Sequence, residues 1–138
     1  MSGRKGIMVR MVAAALLCAV TLVAASCAKP SRSQIALGLV DSMQKGDFEA
    51  AAGHFDSTMS SAMPPSQLQG MWNAIAQQGG ALKAHSLNRE TKENGADTVF
   101  VTCEFEKLKF DLKVVFDSSD KVSGLWMVPT SQPAAGGK

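Results

Sequence analysis

The hydrophobic period of this chain changes once, at Gly79-Gly80, and that single change divides what it can fold into. Before the two glycines, apolar residues recur at helical spacing; after them, they alternate with a period of two. The first helical stretch is expected over Ser33 to Lys45. It carries Ile35, Leu39 and Met43 at i, i+4, i+8, with Ala36 and Val40 beside them, and Gly46 ends it. Asp47 then suits the cap of a short second helix, with Phe48, Ala51, Ala52 and Phe55 on one stripe. Pro64-Pro65 breaks the chain. Ser66-Gln67-Leu68-Gln69 matches a capping box for a third helix, whose face is traced by Leu68, Met71, Trp72 and Ile75.

Beyond Gly80, Ala81 to Arg89 is expected to form the first strand, joined to the second across Asn94-Gly95. Val99, Val101, Cys103 and Phe105 alternate with Thr98, Phe100, Thr102 and Glu104 in the second strand. In the third, Leu108, Phe110, Leu112, Val114 and Phe116 alternate with mostly polar neighbours. A turn at Lys107-Leu108 places Phe105 opposite Phe110, Cys103 opposite Leu112, Val101 opposite Val114 and Val99 opposite Phe116, so every pair is apolar. After Ser118-Ser119-Asp120, Lys121 to Val128 supplies a fourth strand. The predicted fold is α+β: three N-terminal helices packed on a curved four-stranded antiparallel sheet.

The fourth strand is ambiguous. Val122, Gly124, Trp126 and Val128 share one face, and Ser123, Leu125 and Met127 the other, and both faces are largely apolar. Phe116 opposite Val122 predicts Trp126 inside, beside Leu112; a turn tighter by one residue predicts Leu125 and Met127 inside instead. The greater apolar surface of an indole favours Trp126 inside. That choice leaves Leu125, Met127, Val115 and Phe100 as an outward patch, large enough to mark a partner-binding surface.

The ends of the chain speak to address. Arg4, Lys5 and Arg10 precede an uncharged run from Met11 to Ala25, which with small residues after it reads as a secretory signal. About fifteen apolar residues fall short of the ~20 needed to span a bilayer. Ala24-Ala25-Ser26 directly before Cys27 resembles the lipobox of bacterial lipoproteins, although Ala24 stands where Leu is usual. The resemblance implies a signal peptide over residues 1–26 and acylation of Cys27, with membrane anchoring and a palmitate among its chains. Ala28 rather than Asp after the cysteine implies the outer membrane if the envelope is Gram-negative. Residues 27–33 read as a polar tether, 34–129 as one folded domain, and 130–138 as a disordered tail.

Charge is recounted on the processed chain. Without Arg4, Lys5 and Arg10, eleven of the fourteen basic residues remain against twelve acidic ones. A near-neutral domain argues against a nucleic-acid partner. Cys18 leaves with the signal and Cys27 is the acylation site, so Cys103 stands alone, which precludes an intramolecular disulfide.

The ordered landmarks are Gly46-Asp47-Phe48, Phe55, Pro64-Pro65, Leu68, Trp72, Gly79-Gly80, Val101-Thr102-Cys103-Glu104-Phe105, Val114-Val115-Phe116-Asp117 and Gly124-Leu125. In this order and spacing the chain resembles the domain of unknown function 3887, a bacterial envelope family, over about Gln34 to Pro129. The resemblance implies a cone-shaped nuclear transport factor 2-like fold with a pocket between helices and sheet. In some members such a domain precedes an α/β-hydrolase; this chain has no Gly-x-Ser-x-Gly elbow.

Candidate chemistry is sparse. His54 and His85 could in principle pair with Asp47, Asp56 or Glu104, but they read better as two ordinary surface or rim histidines. Metal-ligand spacing is lacking, and neither metal nor cofactor is implied. Cys103, on the Val101–Phe105 face, is expected to be a buried, unreactive thiol. Met43 and Met71 read as core filling, whereas Met59 and Met63, just before Pro64-Pro65, are expected at a pocket mouth. The expected function is non-enzymatic: an envelope binding module for a small apolar ligand or a partner protein. A small pocket hydrolase or isomerase, or a purely structural lipoprotein, is the alternative.

Overall fold

The computed structural model describes residues 28–130. The signal peptide, Cys27 and the tail from 131 to 138 lie outside those residues. Four helices come first: α1 (Arg32–Lys45), α2 (Phe48–Ala52), α3 (Ser57–Ala62) and α4 (Pro65–Gly79). Four strands follow: β1 (Leu82–Glu93), β2 (Ala96–Phe105), β3 (Lys109–Phe116) and β4 (Val122–Val128). They form one antiparallel meander in the order β1-β2-β3-β4. No described helix is long and apolar enough to cross a membrane.

The helix count exceeds the predicted three because Asp56 accepts from the Met59 backbone N–H at 2.7 Å and starts α3, a six-residue helix with a single buried position, Met59. So narrow a stripe carries little periodic signal. Helix α1 starts at Arg32, within the stretch read as tether, because Ser31 and Gln34 form a reciprocal capping box there. The box expected at Ser66-Gln69 does not form. Pro65 occupies the first turn of α4 without a side-chain cap, its missing N–H removing one donor that needs a partner. Asp47 caps α2 as expected, its Oδ1 accepting from Ala50 N–H.

Ile35, Leu39, Val40 and Met43 of α1 and Leu68, Trp72 and Ile75 of α4 pack against the inward residues of β2 and β3 in one core. Trp72 lies 5.5 Å from Phe105, ring centre to ring centre. The inward residues are those that alternation selects, but their pairing is offset by two positions. Cys103 opposes Phe110, Val101 opposes Leu112 and Val99 opposes Val114. The cause is a tighter turn: Phe105 N–H donates to the Leu108 carbonyl at 2.8 Å, so only Glu106 and Lys107 form the loop. An offset of two preserves the face, which is why the core survives it. At Asn94-Gly95 both φ angles are positive, 51° and 82°, as a two-residue hairpin loop of this hand requires.

Strand β4 departs further. Phe116 opposes Val122, but a bulge follows, and Gly124 opposes Val115, Leu125 opposes Val114, Trp126 opposes Lys113 and Met127 opposes Leu112. One extra residue on β4 reverses the inward–outward phase. Val122 and Leu125 are therefore both buried, while Trp126 turns outward and is 53% exposed. The expectation of Trp126 beside Leu112 in the core is corrected. Its premise, Phe116 opposite Val122, holds; the strict alternation drawn from it does not.

Candidate functional site

The bulge at Ser123-Gly124 decides what each face of β4 offers. On the inner side, one register row runs Leu87, Val101, Leu112, Met127 across all four strands. The middle two are buried, while Leu87 and Met127 at the two sheet edges are 42% and 49% exposed. The core beneath is filled: Leu39, Val40, Leu68, Val101, Val114 and Phe116 are essentially inaccessible. The open apolar space lies at one end of the molecule, where β4 runs past the cover of α4.

That space is a groove of about 460 Å³ between α4 and the ends of β3 and β4. Met71, Ala74, Ile75 and Gln78 come from α4, one helical turn apart in pairs. Leu108, Lys109 and Phe110 come from the start of β3, and Met127, Val128 and Pro129 from the end of β4. Gly79 lets α4 close tightly on this end, since a Cβ there would overlap the Leu108 side chain. The charge on Lys109 is matched by Glu104 at 2.6 Å, so the groove is apolar with a neutralised rim. Its volume falls within the ~300–1,000 Å³ range typical of small-molecule sites.

A cleft of similar size, about 470 Å³, lies at the opposite end near Ser31, Arg32, Asp97 and Asp120. Arg32, Asp97 and Asp120 in it are joined in one ion-pair network. Arg32 reaches Asp97 at 2.9 Å and Asp120 at 2.7 Å, and Lys29 reaches Asp120 at 2.6 Å. The hydrogen bond from Lys29, aided by the nearby Arg32 charge, holds the Asp120 carboxyl below its usual value of 3.8 against some desolvation. The cleft reads as an ionic clamp between the N-terminal segment and two sheet turns.

The outer sheet face carries a row of another kind: Arg89, Phe100, Lys113 and Trp126, one from each strand. The Arg89 guanidinium lies 3.7 Å from the Phe100 ring centre, and Lys113 Nζ lies 5.9 Å from both Phe100 and Trp126. Lys113 also pairs with Glu93. Phe100 is thus outward yet only 3% exposed. Below this row, Asp111 is fully buried and accepts from Thr102 Oγ1 and Asn88 Nδ2, each at 2.7 Å.

These placements rearrange the expected patch. Leu125 belongs to the core, and Val115 is outward but half-buried. Met127 leaves the patch for the groove. Met59 is 8% exposed and packs in the core, so it does not line a mouth, while Met63 is half-buried against that core. Met71, read as core filling, packs against the core and also walls the groove. The sequence signal for the β4 placements is Gly124, a glycine inside an otherwise apolar strand, which often marks a bulge.

The histidines are not brought together. His85 Nε2 pairs with Asp41 Oδ1 at 2.9 Å, a partner outside the expected Asp47, Asp56 and Glu104. Cys103 sits opposite His85 across β1 and β2. Burial, with a smaller contribution from the Asp111 charge, pushes the Cys103 thiol up to about 12, the reverse of what a nucleophile needs.

No curated protein and no solved structure matches the chain. The family described as protein of unknown function, DUF3887, matches residues 36–125, from the second turn of α1 through Leu125 of β4. That span contains the main helix–sheet core and most of the residues walling the groove, and the chain belongs to that family.

Proposed function

We propose that this protein is an exported, lipid-anchored binding module that takes a small apolar ligand in the groove between α4 and the ends of β3 and β4. The observation that carries the reading is the apolar groove itself, walled by Met71, Ile75, Phe110 and Met127 with its single cation already paired. Thioether walls adapt to ligand shape, which suits binding rather than a fixed reacting geometry. The helix–sheet order supports a nuclear transport factor 2-like cone whose centre is filled and whose usable space opens at one end.

The direct test is titration of the mature chain with an apolar fluorescent probe such as an anilinonaphthalene sulfonate. Ala74→Glu, on the exposed side of α4, and Met127→Glu should each weaken binding tenfold or more while the melting temperature stays nearly constant. Unchanged affinity in Ala74→Glu contradicts the groove as the site. Anchoring is tested separately: Cys27→Ser should leave unprocessed precursor, and mass spectrometry of membrane fractions should find wild-type chains beginning at an acylated Cys27.

The hydrolase or isomerase reading draws on the His85–Asp41 pair opposite Cys103. A fully buried thiol held near 12 weighs against that pair serving a nucleophile.

A further inference from the structure

The two ends of the strands differ in what the chain ties to them. At the turn end, Lys29 reaches Asp120 at 2.6 Å, and Arg32 reaches both Asp120 and Asp97. The N-terminal segment is thereby laid against the β1–β2 and β3–β4 turns. Ser31 and Gln34 close the capping box of α1, so helical structure begins at Arg32. Only Ala28, Lys29 and Pro30 lie between Cys27 and that cap, and the proline ring fixes one φ angle among them. The apolar groove lies at the other end of β3, where Lys109 and Phe110 line it.

Length decides where an anchor at Cys27 can reach. The four residue steps from Ser31 back to Cys27 span at most ~14 Å when fully extended. Strand β3 runs eight residues, from Lys109 beside the groove to Phe116 at the turn end, roughly 25 Å at the usual rise per residue. The tether is too short to bring the acylated residue to the groove. With the Lys29–Asp120 pair formed it is shorter still, because the Cα of Cys27 stays within ~8 Å of that of Lys29.

We propose that the turn end of the sheet is the membrane-facing surface of this protein, and that the groove opens away from the bilayer holding the anchor. The proposal rests on the acylation of Cys27 proposed above. The loop residues that meet the lipid headgroups, Asn94-Gly95 and Ser118-Ser119, carry no charge. Beside them Arg32, Asp97 and Asp120 are already joined to one another, so close approach of a lipid surface strands none of these three without a partner. The groove then exchanges with the aqueous phase. The ligand it suits is an apolar molecule carried through that phase, rather than a lipid sliding out of the anchoring leaflet.

Fluorescence quenching tests it on the full acylated chain, floated with phosphatidylcholine vesicles that carry a nitroxide on the headgroup. A fluorophore on Ser119→Cys, exposed at the turn end, should lose most of its emission. One on Lys107→Cys, exposed next to Leu108 of the groove, should keep nearly all of it. Cys103 is buried and takes up no label. Trp126 emission from the unsubstituted chain reads the outer sheet face and should change little. Flotation and the mass of the acylated N-terminus establish the anchor in the same sample, and probe titration reports the groove separately, so failure of either is distinct from failure of the orientation. Equal quenching at Lys107→Cys and Ser119→Cys, or stronger quenching at Trp126 than at either label, would overturn the proposal.

Discussion

The two tryptophans of this chain occupy opposite physical situations. Trp72 sits on α4, 7% exposed, with its ring tilted against Phe105 in the helix–sheet core. Trp126 sits on the edge strand, 53% exposed, laid over Gly124 on the outer face and 5.9 Å from the Lys113 ammonium. Residue type does not distinguish them. A helix presents Trp72 to the core through a long, redundant stripe, so one irregularity could not turn it away. The side of Trp126 depends on one bulge two residues upstream, and apolar area did not decide it.

The largest effect is expected where burial is complete. Trp72→Ala should cost about 3–5 kcal/mol in denaturant unfolding, and Leu125→Ala about 2–5 kcal/mol, as for other core truncations. A Leu125→Ala cost near zero would return Leu125 to the outer face and erase the difference between the two regions. Gly124→Ala comes next. A Cβ at Gly124 would overlap the Trp126 ring, so the indole must lift from the sheet. The cost should be ~1–3 kcal/mol, as for other crowding substitutions, with a shift in Trp126 emission. Trp126→Ala itself should cost no more than ~1 kcal/mol, close to other surface changes.

The helices and the inner face of the central hairpin were legible in the sequence because each is specified many times over. Four alternating apolar residues on β2 and four on β3 point inward, and even a two-residue offset in pairing left every one of them inside. The Asn94-Gly95 turn was legible for a local reason, the positive φ at both positions. Strand β4 was not, because both its faces are apolar and the bulge shows only as a glycine. The groove was hidden for the same reason. Its walls join α4 residues to strand-end residues about thirty to sixty positions later, and only the phase of β4 sends Met127 among them. Helix α3 was missed because its cap, Asp56, had no apolar period behind it.

The smallest expected effect concerns the ionic clamp, at the end of the strands away from the groove. Folding lowers the Asp120 pKa, so the linked stability is present above its ordinary value of 3.8 and fades as pH falls through the lower folded value. Carbon-detected NMR titration should find Asp120 below 3.8, and Lys29→Ala should move it back up. Its partners Lys29 and Arg32 are cations held at the surface, so the melting temperature should barely respond near neutral pH.

The outward phase of β4 exposes Trp126 and sends Met127 to the groove. Acrylamide quenching of tryptophan fluorescence reads it directly, because the chain has only two indoles. Wild type should show one accessible and one protected emitter, and Trp126→Phe should remove the accessible one, leaving only the shielded Trp72. If the accessible component survives Trp126→Phe, then Trp126 lies in the core and the account of β4 and its groove is wrong.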